Sequence, residues 1–126
     1  MSQWVMVDSS SWIHALRRRG NAETRARVQQ LLDDQTAAWC EMVRLELWNG
    51  VRNDEERRAL DVLDATLPRV PITDNVWSAA VNCGSKARAA GLSVPATDVL
   101  IFACAREFGL SIEHTDRHYG MLEALK

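Results

Sequence analysis

Residues 4–12 of the chain read Trp-Val-Met-Val-Asp-Ser-Ser-Ser-Trp, and the rest of the sequence continues the pattern that they begin. The first four residues form a continuous apolar run, which is typical of a strand buried on both faces of a parallel sheet. Asp8 ends this run, and the three serines after it offer an N-cap for a short helix over residues 12–19. The stretch therefore predicts a buried strand that leads into a helix, with an acid at the junction.

Apolar runs and amphipathic segments alternate along the remaining chain. Further strands are predicted at residues 37–40, 70–72 and 110–114. Helices are predicted over residues 22–33, 41–52, 54–65, 73–91 and 99–108, with a short helix after the last strand. Strands that alternate with helices indicate right-handed crossovers and a parallel sheet covered on both faces. We therefore expect an α/β protein with a mostly parallel central sheet.

The composition is that of one globular domain. The chain has 126 residues, of which 47% are hydrophobic and 25% charged, so we expect residues 1–126 to form a single domain. A net charge of −2 argues against a polybasic protein, and any nucleic-acid contact would need a local basic patch. The apolar runs are too short to span a bilayer and no secretory signal is visible, so we expect a cytoplasmic protein.

The three cysteines, Cys40, Cys83 and Cys104, are far apart and lie in largely apolar surroundings. Their odd number and wide spacing argue against a disulfide framework, and no CxxC pair is present for zinc. We expect them to be small buried core residues.

Four carboxylates are predicted to meet at one end of the sheet. Asp8 follows the first strand, Asp116 follows the last, Glu46 lies on the helix after the second strand, and Asp98 begins a helix. Each alone also fits an ordinary cap, turn or surface position. Together, two carboxylates about 5 Å apart repel by roughly 3 kcal/mol at an effective dielectric of about 20, so four would take up protons or bind divalent cations. Oxygen ligands suit Mg²⁺ or Mn²⁺, which can activate water for phosphodiester hydrolysis.

Four motifs, in order along nearly the whole chain, resemble those of PIN-domain nucleases, particularly the VapC toxins of toxin–antitoxin pairs. Residues 7–13 resemble the opening motif, and residues 46–50 match the central Glu-Leu-x-x-Gly. Asp98 with the Val-Leu-Ile-Phe-Ala-Cys-Ala after it looks like the third acidic motif, and residues 114–119 resemble the fourth. Four motifs in this order on one short domain are fairly specific.

This resemblance implies a three-layer α/β/α PIN-like fold and a ribonuclease that uses Mg²⁺ or Mn²⁺. The residues that correspond to its catalytic and metal-binding acids are Asp8, Glu46, Asp98 and Asp116. Ser10 corresponds to a small polar position that orients the first acid. The last motif departs from the pattern, because His118 stands where many relatives carry an acid or amide and Tyr119 replaces the usual Phe. The resemblance also implies a homodimer and a small VapB-like antitoxin.

Arg17, Arg18 and Arg19 are candidates for contact with RNA phosphates near the acids, with His118 as a further candidate. The alternative for the arginines is that they crowd a helix C-terminus, where the helix dipole alone favours cations.

A ribonuclease that stays in the cytoplasm would damage the cell that makes it, so the cell needs a tight inhibitor. We therefore expect a groove for an amphipathic segment of an antitoxin. The residues predicted to line that groove are Trp12, Leu16, Leu47 and Trp48. The alternative is that these residues fill the core.

Two further alternatives remain open from the sequence. His114, Asp116 and His118 would share one strand face if extended and would then suit zinc. A PIN-like domain could also be a binding or assembly module with little turnover, although such a module has no reason to keep four repelling acids together.

Overall fold

The structure is a computed structural model, and it describes residues 3–125. Within these residues the strands are β1 (Val5–Val7), β2 (Ala37–Ala38) and β3 (Ser111–Glu113). The helices are α1 (Ser9–Leu16), α2 (Ala22–Asp33), α3 (Glu41–Asn49), α4 (Asp54–Thr66), α5 (Asp74–Ala89), α6 (Ala96–Glu107) and α7 (Arg117–Glu123). The strands form one parallel sheet in the order β2-β1-β3, which confirms the predicted α/β/α architecture.

β1 is the central strand and pairs with both neighbours. Met6 and Val7 are fully buried, as expected for a parallel strand with helices on both faces. The chain passes from β1 to β2 on one side and then returns to β3 on the other. Because such crossovers are right-handed, the helices change face at this return, and a topological switch point lies between β1 and β3. Asp8, directly after β1, is therefore at the position where α/β proteins bind ligands.

α1 begins earlier than the sequence predicted. It starts at Ser9 because Asp8, and not a serine, is its N-cap. The Asp8 carboxylate accepts a hydrogen bond from the Ser10 N–H at 3.1 Å. The strand consequently passes into the helix through a single residue.

The end of α1 also differs from the prediction. The helix ends at Leu16, since Arg17 has extended backbone angles (φ −101°, ψ 140°). Residues 18 and 19 therefore lie in the loop before α2, so the interpretation of the three arginines as a helical last turn is wrong. The loop turns back onto α1 at Gly20, where a Cβ atom would overlap the backbone of His14.

The strand predicted at residues 70–72 is absent from the described part of the chain, and that prediction is wrong. One bridge forms just before this segment, between Arg69 and Trp39: the Trp39 N–H donates to the Pro68 carbonyl at 3.3 Å, and the Trp39 carbonyl accepts from the Val70 N–H at 2.8 Å. Pro71 has no N–H, so the ladder ends there. The other predicted strands are present but shorter.

α6 buries eight consecutive residues, from Asp98 to Ala105, and packs against α3, α5 and α7. The apolar run is a helix, as predicted, and an acid is the first of its buried residues. Because the rest of the helix is apolar, it carries Asp98 into the interior, where this residue is 7% exposed. Among residues 3–125 no helix, this one included, is long and apolar enough to cross a membrane.

The cysteines largely follow the prediction. Cys40 and Cys104 are buried, whereas Cys83 is half-buried, and all three are free thiols. They pack with the core rather than linking parts of the chain.

Candidate active site

The structure brings the four predicted acids together around the carboxyl ends of β1 and β3. Asp8 is the N-cap of α1 and Asp116 is the N-cap of α7, Asp98 lies in the first turn of α6, and Glu46 lies on α3. Burial raises the pKa of Glu46, and the charges of Asp8 and then Asp116 raise it further, against a hydrogen bond from Ser9. The carboxylates are therefore close enough to perturb one another, as the sequence analysis expected.

Asp8 is 2% exposed, and hydrogen-bond donors hold both of its oxygens. One oxygen accepts from the Ser10 N–H at 3.1 Å and from the Ser10 hydroxyl at 2.6 Å. The other oxygen accepts from the Tyr119 hydroxyl at 2.7 Å. Burial, followed by the neighbouring Asp8 charge, raises the pKa of Tyr119, so this hydroxyl stays protonated and remains a donor. These three bonds fix the orientation of the Asp8 carboxylate.

Ser10 also connects the first acidic motif to the last. Its hydroxyl accepts from the Thr115 N–H at 3.1 Å, and its carbonyl accepts from the Thr115 hydroxyl at 3.0 Å. Thr115 directly precedes Asp116, so Ser10 positions one acid through its side chain and a second through this loop.

The serines on either side of Ser10 donate hydrogen bonds to two further acids, Glu46, which the sequence predicted as a site residue, and Glu113, which it did not. Ser9 donates to Glu46 at 3.2 Å, and buried Ser11 donates to Glu113 at 2.8 Å. Glu113 in turn pairs with Arg27 at 2.8 Å. Successive residues of a helix point about 100° apart, so three serines in its first turn reach three different neighbours. The sequence predicts that this run caps a helix and that Ser10 orients the first acid, but nothing in the local pattern points to Glu113.

Asp98, Asp116 and His118 form the tightest group of possible metal ligands. One ligand atom from each lies within 4.8 Å of the others. His118 Nδ1 is 2.8 Å from Asp116 Oδ1 and 3.1 Å from Asp98 Oδ2. Neither contact has hydrogen-bond geometry, and both Asp98 Oδ2 and His118 Nδ1 are buried without a hydrogen-bond partner in residues 3–125. Buried polar atoms are almost always paired, so this group fits a cation bound between its members.

The two aspartates of this group have opposite pKa shifts. Burial raises the pKa of Asp98 to about 7, with further contributions from Asp116 and Asp8. Burial alone would also raise the pKa of Asp116, but the His118 N–H at 2.9 Å, together with Asp98 and the His118 charge, lowers it below its ordinary value. Without a cation, Asp98 is the acid that takes up a proton near neutral pH.

The alternative of a zinc site formed by His114, Asp116 and His118 does not hold for these three residues as a set. β3 ends at Glu113, so these residues do not share a strand face. The His114 ring packs against Tyr119 with ring centroids 4.9 Å apart, and its Nδ1 accepts from the Asp116 N–H at 3.3 Å. His118 joins the acids and His114 does not.

The arginines predicted to contact RNA line a cleft of about 340 Å³ beside the acids, together with Arg52. Arg18 pairs with Glu55 at 3.3 Å, both largely exposed. Arg17 and Arg19 have no ion pair among residues 3–125. Arg17 also lines a smaller cavity of about 40 Å³ together with Glu46, so one residue of the cleft lies near one of the four acids.

The four residues predicted to form an antitoxin groove do not form one. Trp12 is 1% exposed and packs edge to face against Trp39, with ring centroids 6.2 Å apart. Leu47 is 5% exposed and also belongs to the core, so the prediction is wrong for both. Leu16 is half-buried beside α3, whereas half-buried Trp48 points about 200° away from Glu46 around α3.

Comparison with known proteins gives consistent likenesses over nearly the whole chain. A family profile described as PIN domain matches residues 5–122. Ribonuclease VapC11 of Mycobacterium tuberculosis is 30% identical over 122 residues, which cover 94% of this chain and 90% of that protein.

Solved structures share the fold at lower identity. FitAcB from Neisseria gonorrhoeae superposes with a TM-score of 0.73 at 16% identity, over 96% of this chain and 94% of that chain. VapBC2 from Rickettsia felis, bound to a DNA fragment from its promoter, gives a TM-score of 0.68 at 18% identity, over 89% and 98%.

The raised pKa of Asp98 predicts how the metal-free protein responds to pH. The folded protein binds the Asp98 proton more tightly than the unfolded chain, so this stabilisation is complete below about pH 4 and is lost as the pH rises through about 7. Asp98→Asn has no charge to bury, so its melting temperature in EDTA should exceed that of the wild type at pH 8 and approach it at pH 4. At pH 8 the free energies of unfolding of the two proteins should differ by a few kcal/mol at most, since one pKa unit corresponds to about 1.4 kcal/mol.

Asp61→Asn is the matched control, because Asp61 is exposed on α4. It should leave the pH dependence unchanged. Equal pH dependence in wild type and Asp98→Asn would show that the Asp98 carboxyl carries no burial penalty.

Proposed function

The chain belongs to the PIN-domain family, and on that basis we propose that it is a metal-dependent endoribonuclease, the toxin of a toxin–antitoxin pair. The observation that carries the proposal is the convergence of Asp8, Glu46, Asp98 and Asp116 at the switch point of the sheet, with Asp98 Oδ2 buried and unpartnered. The likeness to the VapC11 ribonuclease supports RNA as the substrate. Residues 1–126 act as one domain in this proposal.

Asp98 and Asp116 are the carboxylates that would hold Mg²⁺ or Mn²⁺, with Asp8 and Glu46 completing the acidic surroundings. A bound ion of this kind activates water and stabilises the leaving oxygen of a phosphodiester. Asp8, fixed by Ser10 and Tyr119, presents its charge in one orientation. Glu46 is only half-buried and has a raised pKa, so it is suited to accept a proton from the attacking water.

A small VapB-like antitoxin is the proposed partner, and the cytoplasm is the proposed location. An active ribonuclease in the compartment that holds cellular RNA needs a tight inhibitor. An arginine of the inhibitor placed between the acids would pair with their free oxygens and exclude a metal ion. The likeness to the solved structures named FitAcB, VapBC2 and FitAB supports a partner of this kind for the chain.

The basic cleft beside Glu46 is the proposed binding surface for the RNA backbone. Arg17 and Arg19 form no ion pair among residues 3–125, although Glu55 and Glu56 also line the cleft, and Arg17 shares a cavity with Glu46. A protein of net charge −2 needs such a local patch to hold a polyanion next to its acids.

A homodimer formed through α5 is also proposed. Trp77 is 52% exposed and Val81, one turn later, is 67% exposed. They border a cleft of about 750 Å³ that small residues line, including Ala80 and Gly84. Adjacent large apolar side chains on a surface are typical of a protein interface.

Substitution of the acids tests the catalytic proposal. Asp98→Asn should reduce RNA cleavage in Mg²⁺ or Mn²⁺ by at least about a hundredfold, since it removes a charge needed to hold the ion. Asparagine has the same shape as aspartate, and Asp98 Oδ2 accepts no hydrogen bond that the variant would lose, so the fold should remain intact. Asp8→Asn should abolish cleavage too, but its amide would face a donor, either Ser10 or Tyr119, and should lower the melting temperature.

Asp61→Asn serves again as the control and should cleave at the wild-type rate. Mapping of RNA ends with and without metal provides the measurement. Near-normal cleavage by folded Asp98→Asn would contradict the assignment, and RNA binding without cleavage by the wild type would favour a binding module.

Neutralising the free arginines tests the RNA surface. The double variant Arg17→Gln, Arg19→Gln should raise KM several-fold with little change in kcat, because these groups bind substrate and transition state alike. The salt dependence of RNA affinity should also fall, by about 0.7 in logarithmic slope for each single-strand phosphate that the variant no longer neutralises. Arg58→Gln, at an exposed position of α4, is the control; an equal effect there would show that the cleft has no special role.

A charged residue on α5 tests the dimer. Val81→Glu should shift the protein to monomer in sedimentation, because a carboxylate would be buried without a partner. Val62→Glu, on α4, is matched since Val62 is 60% exposed, and it should remain dimeric. Wild-type monomer throughout the micromolar range would rule out the proposed dimer.

A further inference from the structure

The group of possible metal ligands contains one residue that is not a carboxylate, His118. We propose that His118 Nδ1 is a direct ligand of the metal ion, beside Asp98 and Asp116, and that it makes the site select Mn²⁺ over Mg²⁺. The inference deepens the proposed function, since it concerns the ion held by the same acids. It replaces the expectation that His118 contacts the substrate.

The spacing of the three ligand atoms fits neighbouring positions around one ion. Adjacent ligands of an octahedral ion at about 2.1 Å lie about 3.0 Å apart, the distance set by a right angle between the two bonds. His118 Nδ1 lies 2.8 Å from Asp116 Oδ1 and 3.1 Å from Asp98 Oδ2. Both distances are close to this value.

Hydrogen bonding does not account for these short separations. Neither contact has the geometry of a hydrogen bond, and both Nδ1 and Asp98 Oδ2 lack any partner in the described chain although both atoms are buried. An ordinary His–Asp pair would direct the ring N–H at one oxygen. Here the nitrogen lies within ion-pair distance of two oxygens without hydrogen-bond geometry to either, an arrangement that suits three atoms around one cation.

The backbone holds His118 in this place. Asp116 caps α7 by accepting the His118 N–H at 2.9 Å, so the acid and the histidine are fixed to each other by the helix terminus. The His118 side chain is 20% exposed and that of Asp98 is 10% exposed, so the group is mostly buried but still accessible to water. The ligands are thus largely preorganised before an ion binds.

Imidazole nitrogen changes the selectivity of a site made otherwise of oxygen. Mg²⁺ prefers oxygen ligands and retains much of its water, whereas divalent transition metals bind imidazole well. An Asp–Asp–His set therefore favours Mn²⁺ over Mg²⁺ more strongly than a set in which all three ligand atoms are oxygen. The selectivity resides in one residue and can be changed without touching the acids.

The test compares the wild type with His118→Asp and His118→Asn in metal binding, without RNA. Dissociation constants for Mn²⁺ and for Mg²⁺ are measured by calorimetry. In both variants the preference for Mn²⁺ should fall by roughly tenfold or more, because the nitrogen ligand is replaced by oxygen. His118→Asp should in addition bind Mg²⁺ more tightly than the wild type.

Pulsed electron paramagnetic resonance of bound Mn²⁺ gives a second readout. The wild type should show modulation from a directly bound nitrogen, and His118→Asp should lose it. His14→Asn is the control, because it removes an imidazole that contacts Asn21 outside the acidic site; it should change neither the signal nor the preference.

The outcomes separate this inference from the proposed function. No nitrogen signal in the wild type, or an unchanged preference in His118→Asp, would overturn the inference even if the protein cleaves RNA. A nitrogen-ligated Mn²⁺ in a protein that cleaves no RNA would uphold the inference and reject the proposed function. If His118 instead contacts RNA, its variants would raise KM and leave metal binding unchanged.

Discussion

The buried Asp8 carboxylate is the group on which the rest of the arrangement depends. It ends the central strand, caps α1 through the Ser10 N–H, and accepts the hydroxyl of Tyr119 from α7. An unpaired buried carboxylate would cost several kcal/mol, so these donors must be in place for the domain to fold. One side chain therefore fixes the positions of β1, α1 and α7 relative to one another, and the same side chain belongs to the acidic site.

Helix termini explain how four acids are tolerated at one edge of the sheet. Asp8 and Asp116 are N-caps, and Asp98 lies in the first turn of its helix, so each carboxylate faces the positive end of a helix dipole. Glu46 lies within a helix and instead receives the Ser9 hydroxyl. The helix termini offset part of the repulsion between the acids. Burial, with further contributions from Asp116 and Asp8, still raises the pKa of Asp98 to about 7.

The sequence predicted the features that follow from chain-local rules and missed those that depend on distant contacts. Acids at strand ends identified Asp8 and Asp116, and apolar length identified α6 as a helix. Pro71 lacks the N–H that a longer ladder beside Trp39 would need, and the strand prediction for residues 70–72 took no account of this. Periodicity showed that Trp12 lies on an apolar face, but could not show that Trp39 covers it. The meeting of His118 with Asp98 depends on packing of α6 against α7, which no local pattern reveals.

Under the proposed function, a metal ion and an antitoxin side chain would compete for the unpartnered oxygen of Asp98. Any cation placed beside Asp98 Oδ2 relieves the same repulsion, whether it is a metal ion or the guanidinium of an antitoxin. Only one can occupy that space, so each lowers the apparent affinity of the other. Either one also stabilises the folded chain, by an amount that grows with its concentration relative to its dissociation constant. Under the proposed function, the same few oxygens would therefore hold the metal ion during catalysis and pair with a basic side chain of the antitoxin during inhibition.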